Sequence, residues 1–102
     1  MRFTTGTYTG DGAATLVITG VGFQPKIVFV YRHEIVKPDW CVKNDQDGVN
    51  SNFSDGAGTQ WWYGADMIIS LDADGFTVGD GTVFATNVFN VAGKVYTYIC
   101  WG

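Results

Sequence analysis

At 102 residues the chain has room for one domain, and a domain of this size builds a core without metal or disulfide staples. Its net charge of −4, with six Lys and Arg scattered singly, excludes the basic face that nucleic acid or an anionic membrane requires. Aromatic residues are as abundant as charged ones, 16% each, so the chain carries more apolar surface than one small core easily hides, which points to a partner interface.

The opening Met1-Arg2-Phe3-Thr4-Thr5-Gly6 has no apolar stretch of the kind a secretory signal needs. No apolar run approaches the ~18 residues of a spanning helix. The expectation is a chain made and assembled in a cytoplasm.

Fourteen glycines punctuate short runs of Val, Ile, Thr, Phe, Tyr and Trp, a strand-and-turn pattern, and no segment sustains a period of 3.6. The first strand runs from Phe3 to Tyr8. Gly10-Asp11-Gly12 follows as a hairpin turn, glycine supplying positive φ. Ala14 to Thr19 is the second strand, and Gly20 to Pro25 is a loop in which Pro25 holds Gln24 extended. The third strand, Lys26 to Arg32, is apolar on both faces and is therefore expected at the centre of a sheet.

Trp40 to Lys43 is a fourth strand. From Asn44 to Gly58 the composition is Asp, Asn, Ser and Gly, which reads as the longest loop and a functional candidate. Gln60 to Tyr63 is either a short strand or part of that loop. Met67 to Leu71 and Phe76 to Val78 flank Asp72-Ala73-Asp74-Gly75 as a hairpin. Val83 to Val91 has no single reading, and Ala92-Gly93 is a turn. Lys94 to Trp101 is the last strand, with Val95, Thr97, Ile99 and Trp101 on one face and Tyr96, Tyr98 and Cys100 on the other. Seven or eight short strands without a substantial helix make the expected fold an all-β antiparallel sandwich occupying residues 1–102 as one domain.

Catalytic groups are sparse. His33 is the one histidine, and its neighbour Glu34 points to the opposite face of a strand, so no orienting carboxylate is supplied locally. Nothing near Cys41 in the sequence lowers a thiol pKa. Cys41 and Cys100 both lie in apolar strand patterns and read as buried free thiols. Asp45-Gln46-Asp47-Gly48-Val49-Asn50 opens like a calcium loop, but the position that requires a bidentate Glu is Gly56. The cysteines and histidine lack zinc spacing, and no Gly-rich phosphate motif occurs. The chain is therefore expected to be a non-enzyme without cofactor or metal.

The feature above background is Gln60-Trp61-Trp62-Tyr63, three large rings in succession beside a polar loop. In a strand they cannot all face one core. One ring in the core with the others on its rim, a protein contact and a sugar-stacking platform all fit this pattern.

Two stretches carry a resemblance. Phe3-Thr4-Thr5-Gly6-Thr7-Tyr8-Thr9-Gly10-Asp11-Gly12, followed by Ile18-Thr19-Gly20-Val21-Gly22-Phe23-Gln24-Pro25-Lys26-Ile27-Val28, resembles the opening of small domains in tailed-bacteriophage structural proteins. The closing segments are similar too: Asp74-Gly75-Phe76-Thr77-Val78, then Asn90-Val91-Ala92-Gly93-Lys94-Val95-Tyr96-Thr97-Tyr98-Ile99-Cys100-Trp101. The shared positions are mostly turn glycines and core aromatics, and Arg32 to Ala65 lies outside the resemblance. It implies a virion protein, either a capsid decoration (cement) protein or a receptor-binding part of a tail fibre, and carries over no catalytic residue.

A domain that begins at its own Met1 fits decoration better than a fibre tip. The expected role is binding the major capsid protein lattice on the capsid surface, together with copies of itself as a dimer or trimer, and stabilising the expanded head. The contact residues expected are Trp61, Trp62 and Tyr63, the loop residues Asp45, Asp47, Asn50, Asn52 and Phe53, and Arg2 and Phe3 near the terminus. The alternative is a tail component with a lectin-like carbohydrate site built from the same rings.

Overall fold

In strand after strand, buried and exposed residues alternate with a period of two, and this alternation sets the architecture. In the computed structural model, residues 2–32, 40–48, 50–54, 61–65, 67–79 and 89–102 are described, with the backbone alone at 54, 61–63 and 65. His33, Glu34, Gly56, Gln60 and all but the end of the Val83 to Val91 segment lie outside them.

Nine strands are found among the described residues: β1 (Phe3–Thr9), β2 (Thr15–Ile18), β3 (Ile27–Arg32), β4 (Trp40–Asn44), β5 (Asn50–Ser54), β6 (Trp61–Ala65), β7 (Ile68–Asp72), β8 (Gly75–Gly79) and β9 (Val95–Trp101). They form two antiparallel sheets, one ordered β1-β9-β3-β4-β5-β6 and the other β2-β8-β7. The all-β sandwich expected from the sequence is the fold. β3 lies centrally, between β9 and β4, as its apolar composition implies.

Three expectations change. Gly10-Asp11-Gly12 does not close a hairpin, because β1 and β2 belong to different sheets. The segment carries the chain across the sandwich and is held by Asn90, which is fully buried. The Asn90 carboxamide oxygen accepts from the Asp11 amide at 2.9 Å, and its Nδ2 donates to the Asp11 carboxylate at 2.8 Å and to the Ala13 carbonyl at 2.9 Å. The bonds to Asp11, first from the Ala13 amide and then from Asn90, hold its carboxyl below the ordinary range. Next, the loop expected from Asn44 to Gly58 is interrupted by β5, which pairs with both β4 and β6. Last, Phe53, expected at a contact surface, is 1% exposed and belongs to the core. Within β5 the buried positions are Ser51 and Phe53, so the strand's period of two turns Phe53 inward.

The core lies between the sheets. Val28, Val30, Cys41, Phe53, Tyr96, Tyr98 and Cys100 face it from the large sheet, and Ile18, Phe76, Val78 and Ile68 from the small one. Phe76 spans the layers, with its ring 5.3 Å from that of Tyr98 and 6.2 Å from that of Tyr8, both edge-on. The loop between β2 and β3 is latched to the β7–β8 turn by Asp74, whose two carboxylate oxygens accept from the amides of Gly20 (3.0 Å) and Gly22 (2.7 Å). Both glycines sit at positive φ, 83° and 92°, which aims their amides at one carboxylate.

Cys41 and Cys100 are free and buried. In register, Cys41 stands opposite Val30 and Cys100 opposite Val28. Two strand spacings of about 4.8 Å and a two-residue offset of about 3.4 Å per residue separate them by roughly 12 Å. That exceeds the ~7 Å limit for a disulfide. Burial pushes the Cys100 thiol up to about 12 and the Cys41 thiol well above its ordinary value. Neither thiol is therefore expected to react with a colorimetric thiol reagent at neutral pH until denaturant unfolds the chain, when both should titrate. Rapid reaction of the native protein would mean that the sandwich opens far more readily than its packing implies.

Candidate interaction surface

The alternation that turns Val28 and Val30 inward turns Ile27, Phe29 and Tyr31 outward. In a two-layer sandwich the outer side of a sheet meets solvent, and polar residues are expected there. The small sheet follows this rule. On its outer side Asp72 accepts from the Ser70 and Thr77 hydroxyls, each at 2.7 Å, and Val17 is the exposed apolar exception.

The large sheet does not follow it. Read across the register, one outward row is Phe3, Trp101, Ile27 and Asn44. The next is Thr5, Ile99, Phe29, Val42 and Asn52. The third is Thr7, Thr97, Tyr31 and Trp40, and Thr9 with Val95 ends the face. Phe3 (59%), Val95 (42%), Ile27 (39%) and Tyr31 (39%) are exposed. The rings support one another: Phe3 lies 6.0 Å from Trp101, and Phe29 is 6.1 Å from both Tyr31 and Trp40, stacked on the latter at 20°. Ile27, Phe29, Val42 and Trp101 line an apolar cleft of about 380 Å³. No Asp, Glu, Lys or Arg occupies these rows.

The contact residues expected from the sequence are divided by the fold. Arg2, Phe3, Asp45 and Asp47 come to one end of the large sheet. There the backbones of Arg2 and Gly102 exchange two hydrogen bonds of 2.9 Å, and Lys26 links Trp101 to Asp45. The Arg2 guanidinium lies over the Phe23 ring at 5.1 Å. Asn52 joins the outward face beside Val42. Trp61, Trp62 and Tyr63 occupy the edge strand β6, opposite Ser54, Phe53 and Asn52, and their side chains lie outside what is described. Trp61 is thus at the far end of β5 from Asn50. The backbone of Trp61 and the Asp45–Asp47 turn therefore lie toward opposite ends of β5.

That turn also carries its own cation. Lys43, 2% exposed, extends its ammonium under the turn and donates to the carbonyls of Gly48 and, at 2.7 Å, of Asn50. Burial lowers its pKa, while the neighbouring Asp47 opposes the shift. One Asp47 carboxylate oxygen accepts from the Asn44 amide at 3.0 Å, closing the turn. Two backbone carbonyls of this segment are thus directed at an internal ammonium.

Ile27, Phe29, Tyr31, Trp40, Val42, Val95, Ile99 and Trp101 were not among the contact residues expected from the sequence. For all but Trp40 and Val42 the signal was present in the third and last strands, which carry apolar residues on both faces. For a two-layer fold, that pattern marks an outer face that lacks polar cover. No curated protein and no solved structure matches the chain. Residues 2–102 match the family described as a domain of unknown function, DUF7483, and the chain belongs to that family.

Proposed function

We propose that this protein is a non-catalytic virion structural protein of a tailed phage, a capsid decoration protein that binds the major capsid protein lattice and stabilises the expanded head. The observation that carries the reading is the uncharged outer face of the large sheet, with exposed Phe3, Ile27, Tyr31 and Val95, which marks a protein that works by docking on other protein surfaces, copies of itself included. The resemblance of both chain ends to phage structural domains supplies the setting. Lattice contacts are assigned to the end of the sheet that gathers Arg2, Asp45 and Asp47, and to strand β6 with Trp61, Trp62 and Tyr63. Each contact can be modest, because many copies on one lattice add through effective concentration. Binding to the expanded shell alone would stabilise that state by mass action.

Immunogold labelling of intact virions of the phage that encodes this chain tests the proposal. Gold spread over the heads is the expected result. Gold confined to the tail would replace decoration by a tail role with carbohydrate recognition, and unlabelled virions would overturn the virion assignment.

A further inference from the structure

We infer that the outer face of the six-stranded sheet is a twofold interface, occupied by the same face of a second copy of this chain. The inference rests on the reading of that face as a protein docking surface, and it names the partner.

Three observations favour a second copy. The first is charge. Two copies of a chain with net charge −4 repel each other wherever acidic surface meets acidic surface. The outward rows hold no ionisable carboxylate, ammonium or guanidinium, while Arg2, Lys26, Asp45 and Lys94 sit beyond their ends. Here two copies can meet without burying a charge, and a partner presenting charged groups would leave them desolvated and unpaired.

The second is relief. Exposed rings and a shallow recess lie side by side on the one face: Phe3 packs beside Trp101 and Tyr31 beside Phe29, and Ile27, Phe29, Val42 and Trp101 line the open 380 Å³ cleft. An isologous pairing sets each copy's exposed ring against the other's recess and satisfies both at once. The aligned packing of sheets, about 10 Å apart and about 30° off parallel, provides the geometry.

The third is area. The four strands that carry the rows, β1, β9, β3 and β4, lie about 4.8 Å apart and are five to seven residues long at about 3.3 Å each, and they outline roughly 400 Å² before side-chain relief is counted. That is about half of the ~800 Å² each partner contributes to a standard dimer, the size of a weak, concentration-dependent pair.

The test is sedimentation of the purified chain over a concentration series, with two single variants. Ile27→Glu places a carboxylate within the cleft on the proposed interface. Val17→Glu places one at the most exposed apolar position of the opposite sheet, where it is 57% exposed, and serves as the control. Both sites are open to solvent in the single chain, so circular dichroism and melting should show both variants folded. The wild type and Val17→Glu are expected to dimerise alike. Ile27→Glu is expected to dissociate about 100-fold more readily, because each dimer would bury two unpaired carboxylates.

A wild type that stays monomeric at ~100 μM overturns the inference, and so does an oligomer that Ile27→Glu leaves intact or that Val17→Glu breaks equally. The two proposals fail separately. A monomer that still labels phage heads sinks the second copy alone, and a dimer absent from virions sinks the decoration role alone.

Discussion

Replacing Lys43 by Met is expected to destabilise the fold by about 3 kcal/mol. The substitution keeps an unbranched stem of similar length and removes the ammonium that donates to the Gly48 and Asn50 carbonyls beneath the β4–β5 turn. Methionine has nothing to donate, and water enters poorly at a position only 2% exposed, so the two carbonyls lose their partner while Asp47 loses a neighbouring positive charge. The gain from no longer burying an ammonium offsets only part of that. Urea unfolding measures the difference as a lower midpoint with an unchanged slope.

The pH dependence has a definite sign. The folded state holds the Lys43 proton less tightly than the unfolded chain does, because burial lowers the pKa from 10.5. The unfolded state therefore binds more protons in the window between the lowered value and 10.5. Wild-type stability should gain on that of the Lys43→Met variant as pH rises through that window. An unchanged urea midpoint in the variant would show that the turn closes without the ammonium.

Phe76→Ala is expected to cost about 4 kcal/mol. Phe76 is fully buried on β8, the middle strand of the small sheet, and its ring meets Tyr98 and Tyr8 of the large sheet edge-on. Alanine leaves a void where the two layers meet, and the flanking Tyr8 is fixed elsewhere and cannot fill it. Tyr8 donates its hydroxyl to the Phe89 carbonyl at 3.0 Å and stacks on Tyr96 at 5.0 Å. Small domains are stable by only ~5–15 kcal/mol, so the variant would retain a fraction of its margin and melt well below the wild type. Calorimetry is the direct measurement, and a loss under 1 kcal/mol would mean that the sheets close over the gap.

Strand identity was legible wherever apolar residues and glycines alternate clearly. β1, β3, β8 and β9 appear within a residue or two of their expected limits, and the Asp72–Gly75 turn joins β7 to β8 as the Asp-Gly pair implies. β5 was not legible. Asn50–Ser54 contains one large apolar residue, Phe53, and its asparagines and serines have low strand propensity. The segment is a strand because β4 and β6 offer ladders on both sides, a stabilisation that exists only after distant segments meet.

The candidate surface was half legible for a related reason. Rings beside a polar loop drew notice to Trp61, Trp62 and Tyr63, whereas the apolar rows through Ile27, Phe29 and Tyr31 resembled core. A strand apolar on both sides fits burial between two layers and exposure on an outer layer equally well. Only the number of layers separates the two.

The sequence by itself determined the class of this protein. Periods of two, abundant β-branched and aromatic residues, glycine punctuation and sparse charge permit an antiparallel β fold and argue against helices, nucleic acid and anionic membranes. All of these are local or compositional properties. The tertiary structure decided which strands share a sheet, that Gly10–Gly12 crosses between layers, that Phe53 lies inside, that Lys43 serves its own turn as a cation, and that Cys41 and Cys100 stand two strands apart. It also decided that one apolar face lies on the outside. Each of these depends on pairings between residues far apart in the chain, whose energies come from packing and hydrogen bonds formed only when the layers close, and no local pattern encodes them.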